Sequence, residues 1–323
     1  MILHILIKDL STGRLQRTRA NLQSATPEIL QVLGEIYVNK VHRWQSFLEQ
    51  GGVGEGGALN DAELSLLALK VLRRLLIAGY EHPNRHKEVL ESWSSTIVQL
   101  SGFLNIVMQG SPVITSEVRA VVGKHLLQLA KLHLDMARTH PAAFALLPDS
   151  VVLGHAYGSL IFRFGETLRS ESIEPSAALT NGEASESSDN YVLEQLSLKG
   201  ILVLRACMKM IFNPMHTFKY QHAEDKDERQ QSKELIKSQM LTHELVCKLM
   251  ETLVTQYFVL RPVEIESWRK EPEEWERRGE SEGDAWEYSL RLCSEKVLLD
   301  LLINFKELLA LRLLNFFHSV SCG

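Results

Sequence analysis

Apolar side chains recur along this chain at steps of three and four, the spacing that gathers them on one face of an α-helix. Ile29, Leu30, Leu33, Ile36, Tyr37, Val41, Trp44 and Leu48 form one such stripe. Val89, Leu90, Trp93, Ile97, Leu100, Leu104 and Val107 form another. Thr26, Pro27 and Glu28 have the form of a helix start, with a hydroxyl cap, a proline at the first helical position and an acid in the first turn. Gly51 and Gly52 stop that helix and open a glycine-rich linker. Asp61 is placed to cap the next helix, which ends at Gly79 ahead of Pro83, and Asn84 to start its partner. Further helices are expected over 115–139 and 148–169, joined by a short elbow after Pro141. Others are expected over 191–211 and 224–260, broken at Asn213–Pro214, and over 286–303 and 305–317, divided near Asn304. Strand signals are almost absent; Asn181–Gly182, the sole Asn-Gly pair, lies in a polar stretch and not between alternating runs.

Together these predict an all-α chain, an α-solenoid of antiparallel HEAT-like helix pairs about 40–50 residues long. A compact bundle is the competing architecture, but sequential pairs with similar stripes pack more naturally as a stack. The expected organisation is as follows: incomplete first repeats over 1–50, a linker over 51–60, helix pairs over 61–169, an acidic disordered insert over 170–190, a further pair over 191–260, an acidic tryptophan-containing segment over 261–285, and a last, truncated pair over 286–323. The insert has five acids and no base, and too little apolar surface to offset the entropy of ordering it. Both ends of the chain fall within helical patterns, so the sequence is expected to be a fragment or a truncated gene product.

Composition narrows the function. A net charge of −5 and a pI near 6.2 argue against nucleic acid as the main partner. Four cysteines without CxxC spacing read as reduced thiols, in keeping with cytosol or nucleus. There is no run of roughly 20 apolar residues to enter a membrane, and the apolar N-terminus lacks the basic region of a signal peptide. Arg14, Arg17 and Arg19 are expected on a solvated face, with contact to an acidic partner the less favoured reading. His125 and His133 lie eight apart on one predicted helix and are expected at the edge of the core, not as metal ligands. No HExxH, GxSxG or P-loop pattern occurs, and nothing places a nucleophile beside a base, so neither catalysis nor a cofactor is expected. Tyr37, Trp44, Trp93, Phe103, Phe162 and Phe164 are expected in the core, while grooves between outer helices could take up a partner's phenylalanine.

One stretch, Tyr257–Lys296, departs from the helical pattern and holds three of the five tryptophans. Between Arg261 and Glu287, ten acids face five bases, a net of −5 equal to that of the whole chain. Glu264 and Glu266 follow Pro262 early in a single helical turn, where acids favour the helix N-terminus. Pro272, flanked by Glu271, Glu273 and Glu274, restarts the helix. Trp268 and Trp275, seven apart, would share a face of a continuous helix and are expected to anchor the excursion. These seven residues are the candidate partner-binding set. Their charge suits a basic protein, and the competing reading is a solvated connection whose glutamates cap helices.

The run LRPVEIESWRKEPEEW, an acidic spacer and SLRLCSEKVLLDLLINFKELL resemble importin-β-type nuclear transport receptors, the karyopherins. There a segment of leucine, acid-aliphatic and tryptophan followed by acid-proline-acid-acid-aromatic joins two repeats. KDLSTGRLQRTRANLQSATPEILQVLGEIYVNKVHRW is similar to the early-middle repeats of the importin-eleven branch. The resemblance implies a carrier shuttling protein cargo between cytoplasm and nucleus, regulated by the Ran GTPase and touching phenylalanine-glycine nucleoporins. The chain is expected to be a fragment without the family's Ran-binding first repeats, so Ran binding by it is expected to be weak or absent. A general HEAT scaffold or regulatory subunit is the alternative, and the Trp268–Trp275 segment is what separates the two.

Overall fold

The structure, a computed structural model, describes residues 2–12, 16–49, 56–108, 116–173, 184–212, 223–279 and 285–322. Among them all regular structure is helical. The α-helices are α1 Ile2–Thr12, α2 Gln16–Glu49, α3 Gly56–Ala78, α4 Lys87–Met108, α5 Ser116–Thr139, α6 Pro141–Leu146, α7 Ser150–Ile173, α8 Ala184–Phe212, α9 Ala223–Leu235, α10 His243–Thr252, α11 Pro262–Lys270, α12 Pro272–Gly279, α13 Leu290–Asn304 and α14 Lys306–Cys322. The chain falls into two compact units, Met1–Ser150 with Ser185–Val192, and Val151–Ala184 with Leu193–Gly323.

In the first unit, contacts along the helices fix their directions. Thr26 of α2 lies against Gly79, just past α3, and Lys40 of α2 pairs with Asp61 of α3, so the two are antiparallel. α4 and α5 are antiparallel as well: Phe103 meets His125 and Trp93 meets His133. Helices of successive pairs instead run parallel. Tyr37 of α2 donates to Gln99 of α4 and Trp44 stacks on Phe103 at 5.0 Å. Ser65 of α3 bonds His125 of α5, and Arg73 pairs with Asp135. Parallel like helices mark a stack of hairpins; in an up-and-down bundle neighbours would be antiparallel.

Two similar aromatic nests form this unit's core. Trp44, stacked on Phe103, donates its Nε1 proton to Ser65 (3.1 Å) and abuts His125. Trp93 donates to the Pro148 carbonyl (3.1 Å) and meets His133 and Phe144 edge-on. Both histidines are completely buried, where the charged form is disfavoured. Burial lowers His125 to about 4 and His133 to about 3. They belong to the core itself and not to its edge.

The second unit repeats the rule. α7 runs parallel to α9–α10: Gly154 faces Met240, Gly158 faces Leu245 and Gly165 faces Gln256. A Cβ at Gly154 would sit 2.7 Å from the Met240 sulfur, so a side chain there would require the Met240 side chain to move. α8 runs parallel to α13, through Arg205–Asp300 and Phe212–Phe305. The Tyr257 hydroxyl, buried, donates to the Ile161 carbonyl of α7 at 2.7 Å. Tyr37, Trp44, Trp93, Phe103 and Phe164 are core residues as expected; Phe162 is half-buried beneath the Lys248 ammonium.

Several boundaries differ from the sequence expectation. α2 is one helix through Pro27 and does not begin at Thr26. The Thr26 hydroxyl donates to the Leu22 carbonyl at 2.7 Å, and the residue is buried against Gly79. Leu22, Thr26 and Leu30 continue the stripe at steps of four, and their burial outweighs the cap signal. Arg17 and Arg19 are exposed, while Arg14 lies outside the described residues. α3 begins at Gly56, upstream of Asp61, whose carboxylate serves Lys40 and not the helix end. A 3₁₀ turn over Pro83–Arg85 precedes α4, displacing its start from Asn84.

Residues 224–260 are not one helix: π-helical turns occupy Ile236–Met240 and Leu253–Tyr257, and Thr242 caps α10 by accepting from Leu245 N. α7 reaches Ile173 and α8 starts at Ala184, so helix enters both ends of the 170–190 insert expected to be disordered; 174–183 lies outside the described residues. The Gly51–Gly52 stop also lies outside them. No helix among the described residues is long and apolar enough to cross a membrane.

Candidate protein-recognition surface

Pro262 sits at the start of α11, where its missing N–H is not needed. The Glu264 carboxylate accepts from the Arg261 backbone N–H at 2.9 Å and closes the helix end. α11 runs from Pro262 to Lys270, longer than the single turn expected. It breaks at Glu271, whose φ of −140° and ψ of 71° are not helical, because a residue before proline avoids the α region. α12 then begins at Pro272, with Trp275 N–H donating to the Glu271 carbonyl at 3.0 Å.

That break separates the two tryptophans. Trp268 is 48% exposed and does not anchor the segment. Trp275 is half-buried beneath the Arg291 guanidinium of α13, 4.8 Å from the ring centre. Arg291 also faces Glu264 at 3.6 Å, and Arg261 holds Glu194 of α8 through two hydrogen bonds of 3.1 Å. The segment is fastened by arginines as much as by an aromatic ring. Replacing Trp275 with alanine is therefore expected to cost about 1–2 kcal/mol in urea unfolding, by lost burial and cation–π contact. Trp268→Ala is expected to stay within about 0.5 kcal/mol; equal losses would contradict this placement.

The acids divide into two groups. Glu264 is committed to Arg261 and Arg291. Glu266 pairs with Lys270 at 2.7 Å; this hydrogen bond, and then the lysine charge, hold its carboxyl below the usual range. Glu274 pairs with Arg277 at 2.9 Å. Glu271 and Glu273 are exposed and make no ion pair with a described residue. The outward face of the excursion is therefore Glu271 and Glu273, with exposed Trp268 on the preceding helix.

A second fastening escaped the sequence reading. Arg205, about two turns before the C-terminal end of α8, is paired with Asp300 of α13 at 2.5 Å and lies 4.5 Å from the centre of the Trp286 ring. The visible signal is a lone arginine in the apolar run ILVLRACMKMIF. Cys207 and Cys293 are buried, and burial pushes the Cys207 thiol up to about 12, away from reactivity. The Ser65–His125 contact of 2.9 Å has the look of a nucleophile and base, but both are completely buried, and His125 Nδ1 faces the Val121 carbonyl and not an acid.

No family model matches the chain. It is 29% identical over 317 residues to importin beta-like protein KAP120 of Saccharomyces cerevisiae, covering 98% of this chain and 28% of that protein. It is 25% identical over 281 residues to human importin-11, covering 86% of this chain and 26% of that protein. Among solved structures it matches Lph2, described as a bidirectional nuclear transport receptor in S. cerevisiae. That match has a TM-score of 0.76 and 27% identity, over 98% of this chain and 28% of the other. The recognition of an importin-β-like sequence, near the importin-eleven branch, is borne out along nearly the whole chain, and so is the α-solenoid fold class. The chain spans about 28% of the length of the first of these relatives.

Proposed function

We propose that the chain is part of a nuclear transport receptor that carries protein cargo through nuclear pores under the control of the Ran GTPase, and that it acts by binding alone. The observation that carries this reading is the match, over 98% of the chain, to a protein described as a nuclear transport receptor. The helical stack supports it, since stacked hairpins supply long continuous surfaces for protein partners. The proposed partners are basic cargo and phenylalanine-glycine nucleoporins, with Ran acting on the receptor of which the chain is part and bound weakly or not at all by the chain itself, and the proposed location is nucleus and cytoplasm.

Within this reading, Glu271 and Glu273 draw basic cargo to the excursion, Glu274 beside them shares its charge with Arg277, and Glu264 holds the segment in place. Charge reversal of the three (E271K, E273K and E274K together) is expected to weaken a basic cargo protein about tenfold and to flatten the salt dependence of binding. Unchanged affinity across salt concentrations would remove the segment from the cargo surface.

A further inference from the structure

One π-helical turn follows α9 and another follows α10, and α7 receives both. Gly154 faces Met240 at the end of the first, and His155 Nε2 bonds the Gln239 carbonyl at 2.8 Å. Gly165 faces Gln256 and Tyr257 at the end of the second. A π turn is rare and is found most often at functional positions. Its inserted residue rotates whatever follows by about 100° relative to an unbroken α-helix.

The second turn, Leu253–Tyr257, leads directly into the acidic excursion. It is closed by the Phe258 N–H, which donates to the Leu253 carbonyl at 3.2 Å. It aims the Tyr257 phenol inward, where the hydroxyl donates to the Ile161 carbonyl of α7 at 2.7 Å and lies beside the buried Ser197 of α8. About one turn earlier on α8, Glu194 holds Arg261, the residue before α11. The lead-in to α11 is thus fixed at two points, and the Tyr257 contact exists only in the π register. The same register has an opposing cost. The Gln256 side-chain oxygen occupies the gap left by Gly165, buried and without a donor among the described residues, and an unmet acceptor weakens the state that buries it. A gain at Tyr257 opposed by a loss at Gln256 is the balance that a two-state element needs.

We propose that Leu253–Tyr257 is a hinge with two registers, π and α, latched in the π register by the Tyr257 hydroxyl, and that it sets whether α11–α12 is held against α8 or released. In the latched register Glu271 and Glu273 are presented from a fixed place. In the α register Tyr257 turns away from Ile161 and α11 loses its lead-in. Presentation of these acids to a partner rests on reading α11–α12 as a recognition segment; the hinge is measured without a partner.

The test is amide hydrogen exchange on the whole chain, followed by mass spectrometry. In the wild type, residues 254–258 and α11–α12 are expected to exchange together, ahead of α10 and α13. Tyr257→Phe removes the latch and is expected to speed exchange in both segments about tenfold, with α10 and α13 unchanged. Arg261→Gln releases the other fastening and is expected to loosen α11–α12 while 254–258 keeps its protection. Deleting Thr255 removes the inserted residue; the shortened turn is expected to gain protection as α-helix while α11–α12 loses it. Tyr257→Phe that leaves α11–α12 unchanged, or that speeds α10 and α13 equally, overturns the hinge. Full protection of α11–α12 after the deletion overturns the second register, and if the deletion variant does not fold, Tyr257→Phe decides alone. None of these readings involves cargo, so a failed hinge and a failed charge-reversal test of the excursion are told apart.

Discussion

Trp44→Ala is expected to destabilise the protein by about 3–5 kcal/mol, the range for removing a large aromatic from a packed core. Trp44 is 2% exposed and touches partners on three helices. Its ring stacks on Phe103 of α4 and lies 5.0 Å from His125 of α5, and its Nε1 proton goes to Ser65 of α3. The substitution empties a space bounded by both helix pairs, which the surrounding helices can close only by shifting together. Trp44→Phe keeps most of the stacking and loses the hydrogen bond to Ser65, and is expected to cost roughly 1–3 kcal/mol. Urea unfolding followed by circular dichroism separates the two. A loss below about 1 kcal/mol for alanine would mean that the two pairs are not locked through this ring.

Acidification should weaken the same core. The folded-state pKa values of His125 and His133 are depressed to about 4 and about 3, by burial above all. In the unfolded chain both titrate near 6.5. Between the two values the unfolded chain binds more protons, so stability falls as pH falls through this window. At about pH 5 each histidine is expected to cost roughly 2 kcal/mol relative to pH 7. Below the folded-state pKa, about pH 4 for His125 and about pH 3 for His133, the corresponding loss levels off. Replacing both by glutamine, which stays neutral, should flatten this part of the profile whatever its effect on stability at pH 7. The measurement is the urea midpoint from pH 7 to pH 4.5 for wild type and double variant; parallel profiles would show that neither histidine is held neutral by the fold.

The stripes carried most of the fold. The divisions at Pro141, near Asn304 and at Pro272 all appear where the pattern and the prolines place them. Local cap signals misled where tertiary burial competed: Thr26 and Asp61 have good cap chemistry, yet one is buried against Gly79 and the other is held by Lys40. The π-helical turns at Ile236–Met240 and Leu253–Tyr257 have no periodic signature, because each inserts one residue and shifts the stripe locally.

The candidate site was legible in composition and less so in geometry. Its acids could be counted, but that Glu264 is held depended on Arg291, sixteen residues beyond Trp275 in the chain, and on Arg261 beside it. Seven-residue spacing suggested that Trp268 and Trp275 share a face; Glu271, forced from the helical region by Pro272, separates them.

The proposal that this helical stack serves nuclear transport is tested most directly by binding to a phenylalanine-glycine repeat polypeptide, measured by anisotropy on the folded chain. Saturable binding that is lost when the repeat phenylalanines are changed to serine is the predicted result. A folded chain that ignores the phenylalanine repeats, or binds the serine version equally well, would contradict the account.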